Sequence, residues 1–344
     1  MRVFIAGVAS GVVSSMVAAQ GVVIDGFLDS TGAGLYGAEL SCQDSATGFG
    51  DNSLGMVDYA NGSEIDTAYA CHNGTTLFLF FGGNLESNFN KIEVFVDCIA
   101  GEGQNRLLGN NPDVDFNGLN RMGDDGTGAG NGLKFDADFS PDFYLTATCG
   151  GTPLSTHCNM AHLRTTGGGA GEYLGSGGAG AAGALTAGNG VMLGLDNSNI
   201  LGVVGGNGGP SVGCGVATGI ELALPFSVMG YTAGNIRVCA FINGSSHDYL
   251  ANQVLGGVGG LPNLGDPRLV DFSQVFGKQF FEKVINAGPP PCPTDFDGDG
   301  ITSGSDLALM LGSWGTPDAD LDGDGDTNGA DLASLLGAWG PCAP

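Results

Sequence analysis

The carboxyl-terminal stretch of this chain contains one pattern twice. Asp295-Phe-Asp-Gly-Asp-Gly-Ile-Thr-Ser-Gly-Ser-Asp306 returns as Asp320-Leu-Asp-Gly-Asp-Gly-Asp-Thr-Asn-Gly-Ala-Asp331, and each copy runs into an apolar segment, Leu307 to Gly315 and Leu332 to Gly340. Oxygen donors at loop positions 1, 3, 5 and 12, with glycine at position 6, wrap around a single point. A hard cation such as calcium takes six to eight oxygens at about 2.3–2.6 Å and fits that cage. In the first copy the ligands are expected to be Asp295, Asp297, Asp299, the Ile301 carbonyl, Ser303 and Asp306. In the second they are Asp320, Asp322, Asp324, the Asp326 carbonyl, Asn328 and Asp331. Two calcium ions are therefore expected. Leu307, Met310, Leu311 and Leu332, Leu335, Leu336 stand at i, i+3, i+4, so each loop should lead into a short helix with one apolar face. Those faces, with Trp314 and Trp339, are expected to bury against each other.

Pro289-Pro-Pro291 and Pro293 leave little room for a helix entering the first loop, and position 12 is Asp rather than Glu. A duplicated loop with only its exiting helix resembles the dockerin type I module, over about Cys292 to Cys342. The ending in Trp-Gly-Pro-Cys is similar to that of planctomycete-type exported proteins. The resemblance implies a pseudo-two-fold pair of loop-helix units that docks on a cohesin-like or cell-surface protein. In that family loop positions 10 and 11 set partner choice; here they are Gly304-Ser305 and Gly329-Ala330, a departure from the usual hydroxyl pair. Cys292 and Cys342 bracket the module, and a disulfide between them would staple a domain too small for a large core. The module holds ten Asp and no Lys, Arg or Glu, so it should fold poorly without metal.

At the other end, Met1-Arg2, the apolar run Val3 to Val17 and the small-residue exit Val17-Ala18-Ala19 read as a secretory signal peptide, residues 1–19. The remaining chain divides into a large domain at 20–287, a Pro-rich linker at 288–294 and the repeat pair at 295–342. No later segment is long and apolar enough to span a membrane. A net charge of −26 argues against nucleic acid, whose phosphates need Lys and Arg. Nine cysteines in an exported chain read as a disulfide framework, with Cys149 and Cys158 expected to close a local loop.

The large domain reads as short β-runs between Gly/Asn/Asp turns. Thr76 to Phe81, Lys91 to Asp97, Phe143 to Thr148, Val191 to Leu195 and Ile236 to Phe241 are the clearest strands, and Asn73-Gly74 is a hairpin turn. Lys91 to Asp97 alternates polar and apolar, which predicts one buried face and one wet face. The Gly-dense stretches Gly167 to Gly183 and Gly202 to Gly215 are expected to be exposed loops. The fold class is therefore mainly β: a large antiparallel β-sandwich followed by a small α, duplicated calcium-loop-helix module.

Ile24-Asp-Gly-Phe-Leu-Asp29, Thr76 to Glu86 and Gly219 to Gly230 resemble family 9 carbohydrate-binding modules and related DOMON-like sandwiches. That resemblance implies a two-sheet sandwich that binds sugar or, in other branches, haem. Tyr36, Tyr59, Tyr69, Tyr144, Tyr173, Tyr231 and Tyr249 are the available stacking residues, because both tryptophans lie in the repeat. Asn84 to Asn90 and Asp113 to Asn117 are carboxylate- and carbonyl-rich; they read as solvated turns, with a further calcium site as the alternative. Glu86, Glu93, Glu102, Glu172 and Glu221 are catalytic candidates by residue type alone, with no nucleophile motif beside them. The leading expectation is an exported, non-catalytic protein with a carbohydrate- or surface-binding sandwich. A polysaccharide-degrading glycoside hydrolase and a structural envelope component are the alternatives.

Overall fold

A computed structural model of the chain describes residues 21–29, 35–43, 45, 47, 63–85, 87–128, 130–153, 155–178, 182–199, 213–285, 293–297, 301–322 and 324–341. The expected signal peptide, Asp299, Cys292 and Cys342 lie outside the described residues. In chain order the strands are β1 (Ser41–Cys42), β2 (Glu64–His72), β3 (Thr76–Asn84), β4 (Asn88–Asp97), β5 (Phe143–Gly150), β6 (Ser155–His162), β7 (Gly171–Gly177), β8 (Ala182–Thr186), β9 (Met192–Asp196), β10 (Gly219–Pro225), β11 (Ile236–Asn243), β12 (Leu250–Val254), β13 (Phe281–Lys283), β14 (Ile301–Thr302) and β15 (Gly340–Pro341). Four helices are described: α1 (Gly118–Arg121), α2 (Phe226–Met229), α3 (Gly304–Gly312) and α4 (Gly329–Gly337).

The protein is mainly β. One sheet runs β1-β2-β3-β10-β9-β8; the other runs β12-β11-β4-β5-β6-β7, with β13 added against β11. The described pairings within both sheets are antiparallel. Alternate residues of each sheet meet in a shared core, as the two-residue side-chain period requires. Ile65, Leu79, Phe81 and Leu222 come from the first sheet; Ile92, Val94, Leu145 and Val238 come from the second. Each such side chain contributes about 1.5–3 kcal/mol by leaving water. All five strands expected from sequence are found, and the Asn73-Gly74 turn joins β2 to β3.

The predicted wet face of β4 is instead covered. Lys91, Glu93 and Phe95 point away from the shared core, yet all three are buried. The connections on either side of this sheet fold back over its outer face. Leu107, Leu119, Phe135, Phe139 and Phe272 form a second apolar cluster there with Phe95, Tyr144 and Phe241. Strand alternation predicts two distinct faces but cannot tell water from a covering loop.

The Gly-dense stretch 167–183 is also not a free loop: much of it forms β7 and the start of β8. Glycine fits there because the backbones approach closely; a Cβ on Gly177 would stand 2.1 Å from the Ala184 carbonyl oxygen. The expected Cys149–Cys158 bridge does not form. The two residues sit out of register on the β5–β6 hairpin, where Cys149 faces Thr156 and Cys158 faces Ala147. Among the described residues the disulfide joins Cys42 to Cys214.

The Ile24-Asp25-Gly26 turn packs on the first sheet through Glu221 of β10, whose carboxylate accepts from the Asp25 and Gly26 N–H groups and from the Tyr36 hydroxyl. Burial raises the Glu221 pKa to about 7 against those three hydrogen bonds. Glu221 thus ties two of the sequence motifs together.

Candidate functional site

The two carboxyl-terminal loops repeat in three dimensions. Asp306 accepts from the N–H groups of Phe296, Asp297 and Ser303 at 2.7, 3.2 and 2.7 Å. Asp331 accepts from Leu321, Asp322 and Asn328 at the same three distances. Each Asp also closes a capping box, with Ser303 on α3 and with Asn328 on α4. Position 12 therefore closes the loop and starts the helix, and both carboxylates are fully buried. For Asp306, burial is outweighed by the backbone N–H donors, so its pKa falls below the usual carboxylate range.

Carboxylate oxygens of Asp295, Asp297 and Asp306 converge within 4.8 Å, and so do those of Asp320, Asp322 and Asp324. In the second loop Asn328 Nδ2 donates to Asp324 at 2.9 Å and to the Asp326 carbonyl at 3.1 Å. The Asp322 carboxyl is raised: the Asp324 N–H opposes the shift, but burial and the charges of Asp324, Asp331 and Asp320 prevail. These are oxygen donors in the pattern a calcium ion takes, with mutual repulsion that a divalent charge would relieve. Ile301 lies in β14, which pairs with β15 to close the two units together.

The helices bury less than their apolar pattern suggests. Met310 and Leu335 are fully buried and form a small core with Ala319. Leu311, Trp314, Leu336 and Trp339 stay about half exposed, at 52, 48, 52 and 49%. The expected burial of both tryptophans is therefore corrected: each lies two residues beyond the end of its helix, outside the contact row that Met310 and Leu335 make.

A second site lies on the outer face of the β7-to-β4 half of the second sheet, where the covering loops stop short. Register builds its floor. Lys91, Thr148 and His157 form one cross-strand row, and Asn159 and Tyr173 extend the next. Together with Phe89, Asp113, Asp115, Phe116 and Glu172 they line a cleft of about 910 Å³. Three aromatic rings are presented to it: Phe89 is 40% exposed, Tyr173 56% and Phe116 90%. His157 Nδ1 lies 3.1 Å from the Tyr173 hydroxyl, and the His157 and Phe89 ring centroids are 6.4 Å apart.

Backbone strain gathers at this cleft. The described non-glycine residues with positive φ are Phe89, Asp115, Phe116, Asn117 and His247. Three of them line the cleft, Asn117 adjoins it, and His247 buttresses it. Each left-handed position costs roughly 1–2 kcal/mol for an L-residue and persists only where surrounding contacts hold it. Those contacts are a buried charged network. Glu93 accepts from the Tyr144 hydroxyl at 2.7 Å and bonds His247 Nδ1 at 2.6 Å. His247 Nε2 bonds Asp115 at 2.9 Å, and Lys91 Nζ reaches the same Asp115 oxygen at 2.8 Å. Two cations thus neutralise two carboxylates.

Burial alone would lower the His247 pKa, but the Glu93 charge and both carboxylate hydrogen bonds raise it to about 9. Burial opposes ionisation of Asp115 too, yet its bonds to His247 and Lys91 bring it down to about 2. Gly118 fits under the imidazole only because it lacks a side chain; a Cβ there would stand 2.1 Å from His247 Cδ2.

The cleft was missed in sequence. Tyr173 is one of seven tyrosines, Asp113 to Asn117 has the composition of a solvated turn, and Phe89 and Phe116 belong to no motif. The usable signal was the pair of lone phenylalanines in Asn/Asp-rich segments, where an apolar ring has no core to join. Of the carboxylates singled out by type, Glu172 reaches the cleft and Glu93 lies beneath it, whereas Glu221 belongs to the opposite sheet. No described helix is long and apolar enough to cross a membrane. Compared with family models, curated proteins and solved structures, the chain has no significant match.

Proposed function

We propose that this is an exported, non-catalytic binding protein: the cleft on its second sheet holds a saccharide, and its carboxyl-terminal loops fold around two calcium ions to form a docking module. The cleft reading is carried by one observation. The bulky or charged residues held in left-handed backbone are gathered at one place, and two of them are phenylalanines whose rings face solvent. Strain of that kind marks functional surfaces. Aromatic faces suit the apolar faces of a pyranose ring, and the Asn159 amide, Asp113 and Glu172 suit its hydroxyls. Among the described residues no group hydrogen-bonds the Asn159 side chain, which leaves it available to a ligand.

Asp115 does not suit the part of a hydrolytic acid in this cleft. A glycosidase needs a carboxylic acid that keeps its proton near neutral pH, and Asp115 is held ionised by Lys91 and His247. Export is supported by the Cys42–Cys214 disulfide, which suits an oxidising compartment. The dockerin-like reading of the tail is supported by its duplicated loop geometry. The half-exposed Leu311, Trp314, Leu336 and Trp339 supply an apolar face for a cohesin-like or cell-surface partner.

A glycan array probed with the full chain and with Phe116→Ala tests the cleft. Selective retention of one saccharide class by the parent chain, lost in the variant, is the expected result. Equal signals from both, or none from either, would remove the saccharide reading. Release of reducing sugar from a retained polysaccharide would establish the hydrolase alternative instead.

A further inference from the structure

A second cluster of oxygen donors lies in the sandwich, remote in sequence from the carboxyl-terminal loops. Glu64 and Asp66 sit on β2, both fully buried. Glu64 pairs across the sheet with Asn84 of β3. Asp66 is the extra residue of a bulge, since Ile65 faces Gly83 and Thr67 faces Gly82. Bulges of this kind re-aim a side chain. The Asn199 amide nitrogen, arriving after β9, lies 3.1 Å from Glu64 Oε1, 3.4 Å from Asp66 Oδ2 and 3.4 Å from Asn84 Oδ1. Three oxygens from three residues therefore converge on one point. An amide NH2 has two protons for those three acceptors.

The independent observation is Glu64 Oε2. It is buried and has no hydrogen-bond partner, and a buried carboxylate oxygen in a native core is ordinarily satisfied. Gly83 lets the backbone close over the pair; at φ 140 a Cβ there would stand 2.3 Å from the Glu64 carbonyl oxygen.

We propose that Glu64, Asp66, Asn84 and Asn199 form a structural divalent-cation site, matched to calcium. Glu64 supplies both carboxylate oxygens, Asp66 and Asn84 supply one each, and Asn199 adds its Oδ1 once the amide is turned over; these five donors would leave the rest of the shell to bound water. The oxygen and nitrogen of an amide are assigned from its neighbours, so a cation reverses that choice. The donor set is all hard oxygen, which disfavours zinc and copper. Its mixture of bidentate carboxylate and amide carbonyl suits the irregular shell of calcium better than the strict octahedron of magnesium. The ion would link β2, β3 and the segment after β9 at one end of the first sheet.

Native mass spectrometry of the full chain tests this site separately from the tail. Asp297→Asn with Asp322→Asn silences the carboxyl-terminal loops; this chain is refolded in millimolar calcium and then desalted. One retained calcium per chain, absent after adding Glu64→Gln, is the expected result. A silenced chain that folds by circular dichroism but retains no calcium overturns the proposal, as does a folded Glu64→Gln chain that still holds the ion. Should Glu64→Gln fail to fold, the melting temperature of the silenced chain in calcium against EGTA decides. A rise in calcium is expected, and identical melting overturns the site.

Discussion

Replacing His247 by asparagine should abolish one specific pH dependence of stability. Asparagine tolerates the left-handed backbone at φ 59 but carries no titratable group. In the parent chain His247 lies between Glu93 and Asp115, is 2% exposed, and has its pKa raised from 6.5 to about 9. At 1.36 kcal/mol for each tenfold in proton affinity, that difference corresponds to about 3 kcal/mol. The folded state binds this proton more tightly than the unfolded chain does. The stabilisation is therefore complete below pH 6.5 and is lost as pH rises through 9. For a domain of this size about 3 kcal/mol amounts to a fall in Tm of roughly 6–12 °C. Thermal melts of parent and variant from pH 6 to 9.5 give the comparison. Glu93 loses its counter-ion when His247 is replaced, so the variant also carries Glu93→Gln. Glu221 and Asp142, whose pKa values are raised to about 7 and about 6, titrate in both chains and cancel in the difference. The parent should lose its advantage over the variant across this interval. Parallel curves for the two chains would refute the imidazolium bridge. Because Asp115 anchors the strained loop that carries Phe116, affinity for the cleft's ligand should decline over the same range.

Phe116→Ala and Tyr173→Ala remove exposed rings, so stability should change by no more than about 0.5 kcal/mol while saccharide retention falls tenfold or more in equilibrium binding. Gly26→Ala should destabilise the first sheet by about 2–3 kcal/mol in urea unfolding. A Cβ there would meet Asp196 N at 2.4 Å from a backbone at φ 85. Leu335→Ala empties the centre of the small tail core and should cost about 2–5 kcal/mol, seen as loss of calcium-dependent structure in the tail while the sandwich melts as before. Calcium release from the tail on acidification should begin at the second loop, where the Asp322 carboxyl is raised by its acidic neighbours, because the ligands bind metal only when deprotonated.

The strands were legible wherever β-branched and aromatic residues alternate between turn signals, as in Thr76 to Phe81 and Ile236 to Phe241. What covered them was not. Phe95 and Glu93 look alike in a period-two pattern whether the outer face meets water or a second cluster, and only the long 98–142 connection decides. The Gly-rich strand β7 was illegible for a related reason: close backbone approach selects residues without side chains, and those resemble a loop. The repeat of the tail was legible because its spacing runs along single loops, and the capped helix starts at Ser303 and Asn328 follow the two copies in step. The cleft was not, since Phe89, Phe116, Lys91, Asn159 and Tyr173 meet only through sheet register. The Glu64–Asn199 cluster was hidden for the same reason, its members drawn from β2, β3 and the segment after β9.

Trp314 and Trp339 are the chain's only tryptophans, so indole emission of the intact protein reports the carboxyl-terminal module alone. Both rings are about half exposed in the folded tail. Titrating metal-stripped protein with calcium should give a saturable change in emission that is complete at two ions per module and absent in the Asp297→Asn, Asp322→Asn chain. Emission that ignores calcium, or responds equally in the variant, would contradict the metal-folded docking module.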